Sequence, residues 1–335
     1  MDKIVRLVRE KQLFCFFVLA FLISWVIWIL SPVITPDTDV QKIINLIGAF
    51  GPAIAAVIIS GTIGLNTQAV PTLRYWWVFG LSFFVVFTLI VLSMDILQIP
   101  HKTAIYILFG IISFISSIIL TGPLSKNRGI RRLLRYIKKA NVNYLWHIIV
   151  IFFIPLLTLI SLSIDLLLGG SVEPGFYSEP WYMFTGNSIL VFFALTIFGG
   201  SLNEEPGWRG FALPRLLLKF NPIVASIILG FIWSLWHAPL HFNGFYQAGF
   251  AAFLTRFLWN IPLTIFFTWL YMKTKGSLLH VTLLHTSINT VGMFIPVTQR
   301  SGIILVIIAL ILLITIIIQN KMWIKREHLG PYKNV

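Results

Sequence analysis

The sequence predicts an all-α fold, a polytopic transmembrane helix bundle of about ten spans. Three observations predict it. The chain is 58% hydrophobic and 11% charged over 335 residues, with a mean hydropathy of +0.90. Apolar runs of about 20 residues, the length that crosses a hydrocarbon core, recur along it. Most of its Lys and Arg residues fall in alternate short segments between those runs. A soluble domain carries roughly 25% charged residues because its surface must be hydrated, so most of this surface faces lipid. The basic excess, 25 Lys and Arg against 11 Asp and Glu, does not mark a nucleic-acid partner, because the charges form no single soluble face. The single cysteine, Cys15, lies in the first apolar run and reads as a small apolar filler.

In chain order the candidate spans are 12–32, 43–65, 75–97, 103–122, 144–168, 187–213, 222–242, 249–272, 276–298 and 301–320. The first follows Lys3, Arg6, Arg9 and Lys11, as a signal peptide would, but it is long and no A-x-A-like cleavage site follows. It is expected to be a retained span. With both termini cytoplasmic, inner segments hold 21 of the 25 basic residues and outer segments only Lys42, Lys102 and Arg300; Arg256 falls within a span. Basic residues of short loops favour the cytoplasmic side, so this orientation is expected. Residues 1–143 form an N-terminal set of helices, 144–320 a core and 321–335 a basic cytoplasmic tail. Within the first set, 126–139 interleaves Arg128, Arg131, Arg132, Arg135, Lys138 and Lys139 with Ile130, Leu133, Leu134 and Ile137. That pattern predicts an amphipathic helix on the anionic cytoplasmic leaflet. The outer loop Gly169–Gly186, with Glu173, Glu179 and several aromatics, is a candidate lid.

Ionisable groups deep in a span cost roughly 2.5–3.5 kcal/mol each near its centre, so each needs an explanation. Most lie between Ser201 and Asn289. In Ser201–Gly210, Glu205 and Arg209 stand at i and i+4, the spacing of a helical ion pair. Glu204 has Trp208 one turn on and no cation in register, which leaves it for proton transfer. In Phe231–His241, His237 lies inside its span and His241 follows one turn later, expected on the same face. The H-x-x-x-H spacing is that of zincins, but Ala238 stands where their glutamate would be. In His285–Asn289, imidazole and carboxamide share a face and can aim donors at one oxyanion. Each motif alone has a bland reading, as a helix-end glutamate pair, an interfacial histidine or an interhelical hydrogen-bond patch. Together they are the parts for water activation and stabilisation of a tetrahedral intermediate.

These residues resemble the intramembrane CAAX-type and bacteriocin-processing protease family, which includes the type II CAAX prenyl endopeptidases. Its E-E-x-x-x-R motif matches Glu204, Glu205 and Arg209. Its F-x-x-x-H motif is met at His237, with Trp233 where phenylalanine is usual, and its third motif matches His285 and Asn289. The stretches Trp269–Tyr271 and Gly276–Leu279 are also similar, and the likeness covers roughly 201–289. The resemblance implies that Glu204 and His237 activate water, that His285 and Asn289 stabilise the oxyanion, and that Glu205 and Arg209 support the site. It leaves open a zinc held by Glu204, His237 and His285 or glutamate-activated water without metal. The implied partner is a membrane-embedded or membrane-associated peptide or protein, and the implied location a bacterial plasma membrane. Two other functions use similar groups. One is a secondary transporter, against which no repeated halves are visible. The other is a catalytically silent immunity or scaffold protein of the same fold.

Depth adds a structural expectation. At 1.5 Å per residue from cytoplasmic ends near Pro222 and Gly276, His237, His285 and Asn289 lie roughly 22, 14 and 20 Å in. Glu204 reaches that band only if 206–213 continues inward as a helix, lifting it about 14 Å. Pro206 removes an N–H and should bend that helix.

Overall fold

Side chains of the short polar segments set where the helices begin. Asp37 accepts from the Asp39 and Val40 amides at the start of α3 (Thr38–Gly48), and Thr72 accepts from Tyr75 N–H at the start of α5 (Leu73–Ser93). Asn221 caps α12 (Pro222–Trp236), whose first residue is a proline, and Thr298 and Ser301 form a capping box on α15 (Gln299–Gln319). Such caps satisfy amides that have no intrahelical partner. The remaining helices are α1 (Asp2–Glu10), α2 (Gln12–Ile34), α4 (Gly51–Ile63), α6 (Thr103–Thr121), α7 (Arg128–Leu134) and α8 (Leu145–Leu167). They are followed by α9 (Trp181–Phe198), α10 (Ser201–Gly207), α11 (Leu213–Leu217), α13 (Phe250–Lys273) and α14 (Leu278–Phe294). The computed structural model describes residues 2–64, 71–137, 142–172, 181–246 and 249–325. Lys138, Lys139, Glu173, Glu179, Arg326 and Lys333 lie outside the described residues, and with them residues 173–180 of the candidate lid and most of the basic tail.

Among the described residues, 8 helical segments are long and apolar enough to cross a membrane. The protein is an all-α, polytopic integral membrane protein. Two further predicted spans are shorter helices, α12 with 15 residues and α14 with 17. Both line the polar centre of the bundle, which explains their shorter apolar runs. The predicted span 222–242 ends early because Pro239 disfavours helical backbone at the residue before it. His237 is consequently the C-cap of α12, and Ala238–His241 form a 3-10 turn. His237 and His241 therefore do not share an α-helical face, which corrects the expectation from their spacing. Both remain buried.

The short helix α10 sits at the centre, with every residue from Ser201 to Gly207 buried. It packs on α4, α9 and α14. A Cβ on Gly207 would stand 2.6 Å from the Pro52 carbonyl oxygen, so only glycine lets α10 lie this close to α4. The N-terminal helices thus form one wall of the centre. Lipid-facing surface is greatest on α15, where only Ser301 is buried. In the predicted amphipathic segment, α7 and the 3-10 turn Arg135–Ile137 bury Leu133, Leu134 and Tyr136 against the protein, α4 included. Its apolar face is covered by protein, while Arg128, Arg131 and Arg135 stay exposed.

Candidate active site

The segment Met183–Leu217 is 35 residues of apolar helix. A straight helix of that length would run about 50 Å, well beyond a hydrocarbon core of about 30 Å, so it must break or bend. It does both. Gly199 and Gly200 end α9, and Gly200 takes φ +102°, a conformation that L side chains rarely adopt. The carbonyls exposed by the break are covered. Asn289 Nδ2 donates to Gly199 O, and Asn203 Nδ2 donates to Phe198 O at 3.4 Å. Past Pro206 the chain continues as a π-helical turn, Trp208–Ala212, before α11. The segment from Pro206 to Leu213 is therefore helical and buried, as the depth argument requires. Such π turns insert one residue and often mark functional sites.

This path points the two glutamates in different directions. Glu205 is fully buried and accepts from Arg209 Nη1 at 2.9 Å, the pair read from their spacing. The Arg209 guanidinium lies between two rings, 4.6 Å from the Trp233 centroid and 4.2 Å from that of Phe267. The same Glu205 oxygen bonds His285 Nδ1 at 2.7 Å. Glu204 turns the other way. Its Oε2 accepts from Trp233 Nε1 at 2.6 Å and from Trp208 Nε1 at 3.2 Å. Its Oε1 faces Gly200: a Cβ there would stand 3.0 Å from Glu204 Oε1 and 3.1 Å from His285 Nε2. The missing side chain lets a carboxylate oxygen and an imidazole nitrogen both lie close against this glycine.

His237 completes the group. Its Nδ1 bonds the Trp233 carbonyl oxygen at 2.7 Å, and its ring lies 5.7 Å from the Trp233 ring. A carbonyl oxygen only accepts, so Nδ1 carries the proton and neutral His237 presents Nε2 as an acceptor. The partner of His285 imposes the same logic, since Glu205 Oε1 already accepts from Arg209. Each ring is oriented by a bond on one nitrogen, the usual means of fixing a tautomer.

Of the sequence-predicted residues, Glu205, Arg209 and His285 form one bonded chain, and Glu204 and His237 are both held by Trp233. Asn289, one turn after His285 on α14, donates its amide at the α9–α10 break. Sequence reasoning missed Gly200 and the donor roles of Trp208 and Trp233. The i, i+4 spacing of Glu204 and Trp208 was the one available signal. Among the described residues, no three His, Cys, Asp or Glu side chains converge as a metal-binding set. Of the ligand set Glu204, His237 and His285, the Glu204 Oε2 atom is bonded to two indoles and His285 Nδ1 to Glu205.

Fold and site together define a polytopic helical membrane protein with a carboxylate–imidazole centre buried between its helices. Residues 186–291 match the family model described as type II CAAX prenyl endopeptidase Rce1-like. A curated relative, CAAX prenyl protease 2 of Methanococcus maripaludis, is 32% identical over 164 residues. That alignment covers 47% of this chain and 59% of the relative, so the chain spans under two thirds of the protein it matches. The segment 186–291 holds every motif residue from Glu204 to Asn289, and it is this segment that is similar to the CAAX-type proteases.

Proposed function

We propose that the protein is an intramembrane endopeptidase hydrolysing a peptide bond of a membrane-associated peptide or protein. The observation that carries this reading is the close approach of Glu204 Oε1 and His285 Nε2 to the same glycine, Gly200. A water bridging these two atoms, with its second hydrogen directed to His237 Nε2, would pass a proton to Glu204 as its oxygen adds to the scissile carbonyl. The resulting oxyanion takes hydrogen bonds from His285 when doubly protonated, a state that Glu205 offsets, and from the second N–H of Asn289. Protonated Glu204 then delivers its proton to the leaving nitrogen as the C–N bond breaks, restoring the carboxylate.

The substrate class follows from chemistry beside the site. An apolar groove lined by Phe14, Phe17, Phe21, Trp25, Ile29 and Ile232 runs along α2 and α12. Phe17 at its edge stacks with Trp208, 6.5 Å between centroids, and Trp208 donates to Glu204. An isoprenyl chain fits such a groove, and the relative's name states a prenyl protease. By the positive-inside rule both termini are cytoplasmic.

The test is hydrolysis of a quenched fluorescent peptide, S-farnesylated on a cysteine followed by three apolar residues, in proteoliposomes. The chain should cleave it and Glu204→Gln should not. Equal turnover by both would remove the site from the reaction.

A further inference from the structure

The residue before His237, Trp236, carries a backbone carbonyl that its own helix does not satisfy. The amides that would reach it lie three and four residues on. Pro239 has no N–H, and the Leu240 N–H goes to the His237 carbonyl oxygen instead. The proline that ends α12 thus strands an acceptor right beside the histidine. Trp236 is buried, and lipid offers no donor, so the carbonyl needs a partner from within the protein.

That partner comes from the N-terminal helices. Trp25 on α2 donates its indole Nε1–H to the Trp236 carbonyl oxygen at 2.9 Å, across 211 residues of chain. Trp28, almost one turn further along α2, packs its ring 4.6 Å from that of Trp236. The Trp236 ring in turn lies 4.7 Å from the His237 ring and 5.6 Å from that of Trp208, which donates to Glu204. Trp28 is fixed in its own right. Its indole donates to the Asn45 carbonyl oxygen at 2.8 Å, and its carbonyl oxygen accepts from Asn243 Nδ2 at 3.1 Å. Asn243 follows the turn that begins at His237, so α2 grips the backbone on both sides of that turn. Trp25, Trp28 and Asn45 all lie outside the matched segment 186–291.

We propose that Trp25 is a positioning residue for the reaction: its indole N–H fixes the backbone at Trp236 and His237, and thereby the direction of the His237 ring. The proposal rests on the peptidase reading and extends the working site from the three motifs to α2. Trp25 touches no reacting atom; it acts through His237. Its ring also walls the apolar groove, so losing the N–H and losing the ring have separable effects.

The experiment separates them with Trp25→Phe, which keeps an aromatic wall and deletes the donor. Hydrolysis of the farnesylated peptide in proteoliposomes should show kcat about tenfold lower, the scale of stranding one buried carbonyl. KM should stay within about twofold, because binding in the groove is retained. Trp25→Ala should lower kcat similarly and raise KM as well. In single turnovers of a His237→Ala background, Trp25→Phe should cost nothing further, as expected of groups that act through one another. Hydrogen–deuterium exchange of residues 236–242 should be faster in Trp25→Phe than in the unaltered chain. An unchanged kcat, or the same tenfold loss with His237 absent, overturns the assignment. If Trp25→Phe folds poorly, β-(3-benzothienyl)alanine at position 25 keeps the two-ring shape, removes only the N–H and is held to the same outcomes. If the unaltered chain cleaves no peptide, the peptidase reading fails and exchange alone decides: faster exchange of 236–242 upholds Trp25 as the anchor of this turn, and unchanged exchange overturns it.

Discussion

Trp233 holds two proposed catalytic residues at once: its indole Nε1 donates to Glu204 at 2.6 Å, and its carbonyl oxygen bonds His237 Nδ1 at 2.7 Å. The related motif has phenylalanine here, which can supply the carbonyl but not the indole. Trp233→Phe should keep His237 in place and release one of the two donors on Glu204 Oε2. A hydrogen bond to a carboxylate is worth about 1.5–3 kcal/mol, so kcat should fall about tenfold or more. Single-turnover cleavage alongside the yield of folded protein measures this, and an unchanged kcat would show that the indole does not position Glu204.

Glu204→Gln and His237→Ala should each lower kcat by about a thousandfold or more while the protein stays membrane-inserted. Groups acting as one unit are non-additive, so the double variant should be little worse than either single. A double variant whose loss is the product of the two would mean that the residues act independently.

Gly200→Ala tests the contact of Glu204 and His285 with the break. The backbone conformation alone should cost about 1–3 kcal/mol, and the new Cβ would crowd Glu204 Oε1 and His285 Nε2. Activity should be lost more completely than folded yield, as judged by turnover per folded molecule after size-exclusion chromatography. Full turnover would show that the reacting water sits elsewhere.

Arg209→Ala should behave differently from the catalytic substitutions. It strands the fully buried Glu205, and breaking a buried pair costs about 3–5 kcal/mol. Folded yield and thermal stability in detergent should both drop. Arg209→Lys should rescue little, because an ammonium cannot reproduce a planar group between Trp233 and Phe267. A stable Arg209→Ala protein would mean that the ion pair does not hold the site together.

Orientation is tested by labelling single cysteines in a Cys15→Ser background. A membrane-impermeant maleimide added outside intact cells should modify Ser171→Cys and spare Lys126→Cys. The opposite pattern would invert the topology.

Much of the fold was legible because membrane insertion is decided locally. A run of about 20 apolar residues must become a helix that satisfies its own backbone, whatever surrounds it. The Glu205–Arg209 pair was legible for a similar reason, since i, i+4 neighbours meet on any helix. Boundaries set by single residues were less legible. Pro239 cut α12 short, and a π turn carried the chain past Pro206.

The sequence by itself determined the all-α membrane fold, the three motifs and the adjacent glutamates with different surroundings. Only the tertiary structure decided which groups meet across long stretches of chain. His285 reaches Glu205 rather than Glu204 with its Nδ1, Asn289 seals the break at Gly199, and Trp233 grips Glu204. Those partners depend on how each helix is rotated about its axis, and rotation is set by packing at close contacts such as Gly207 on Pro52. Residue spacing along one helix carries no information about that angle relative to another, so the chemistry of the site appears only when the helices are packed.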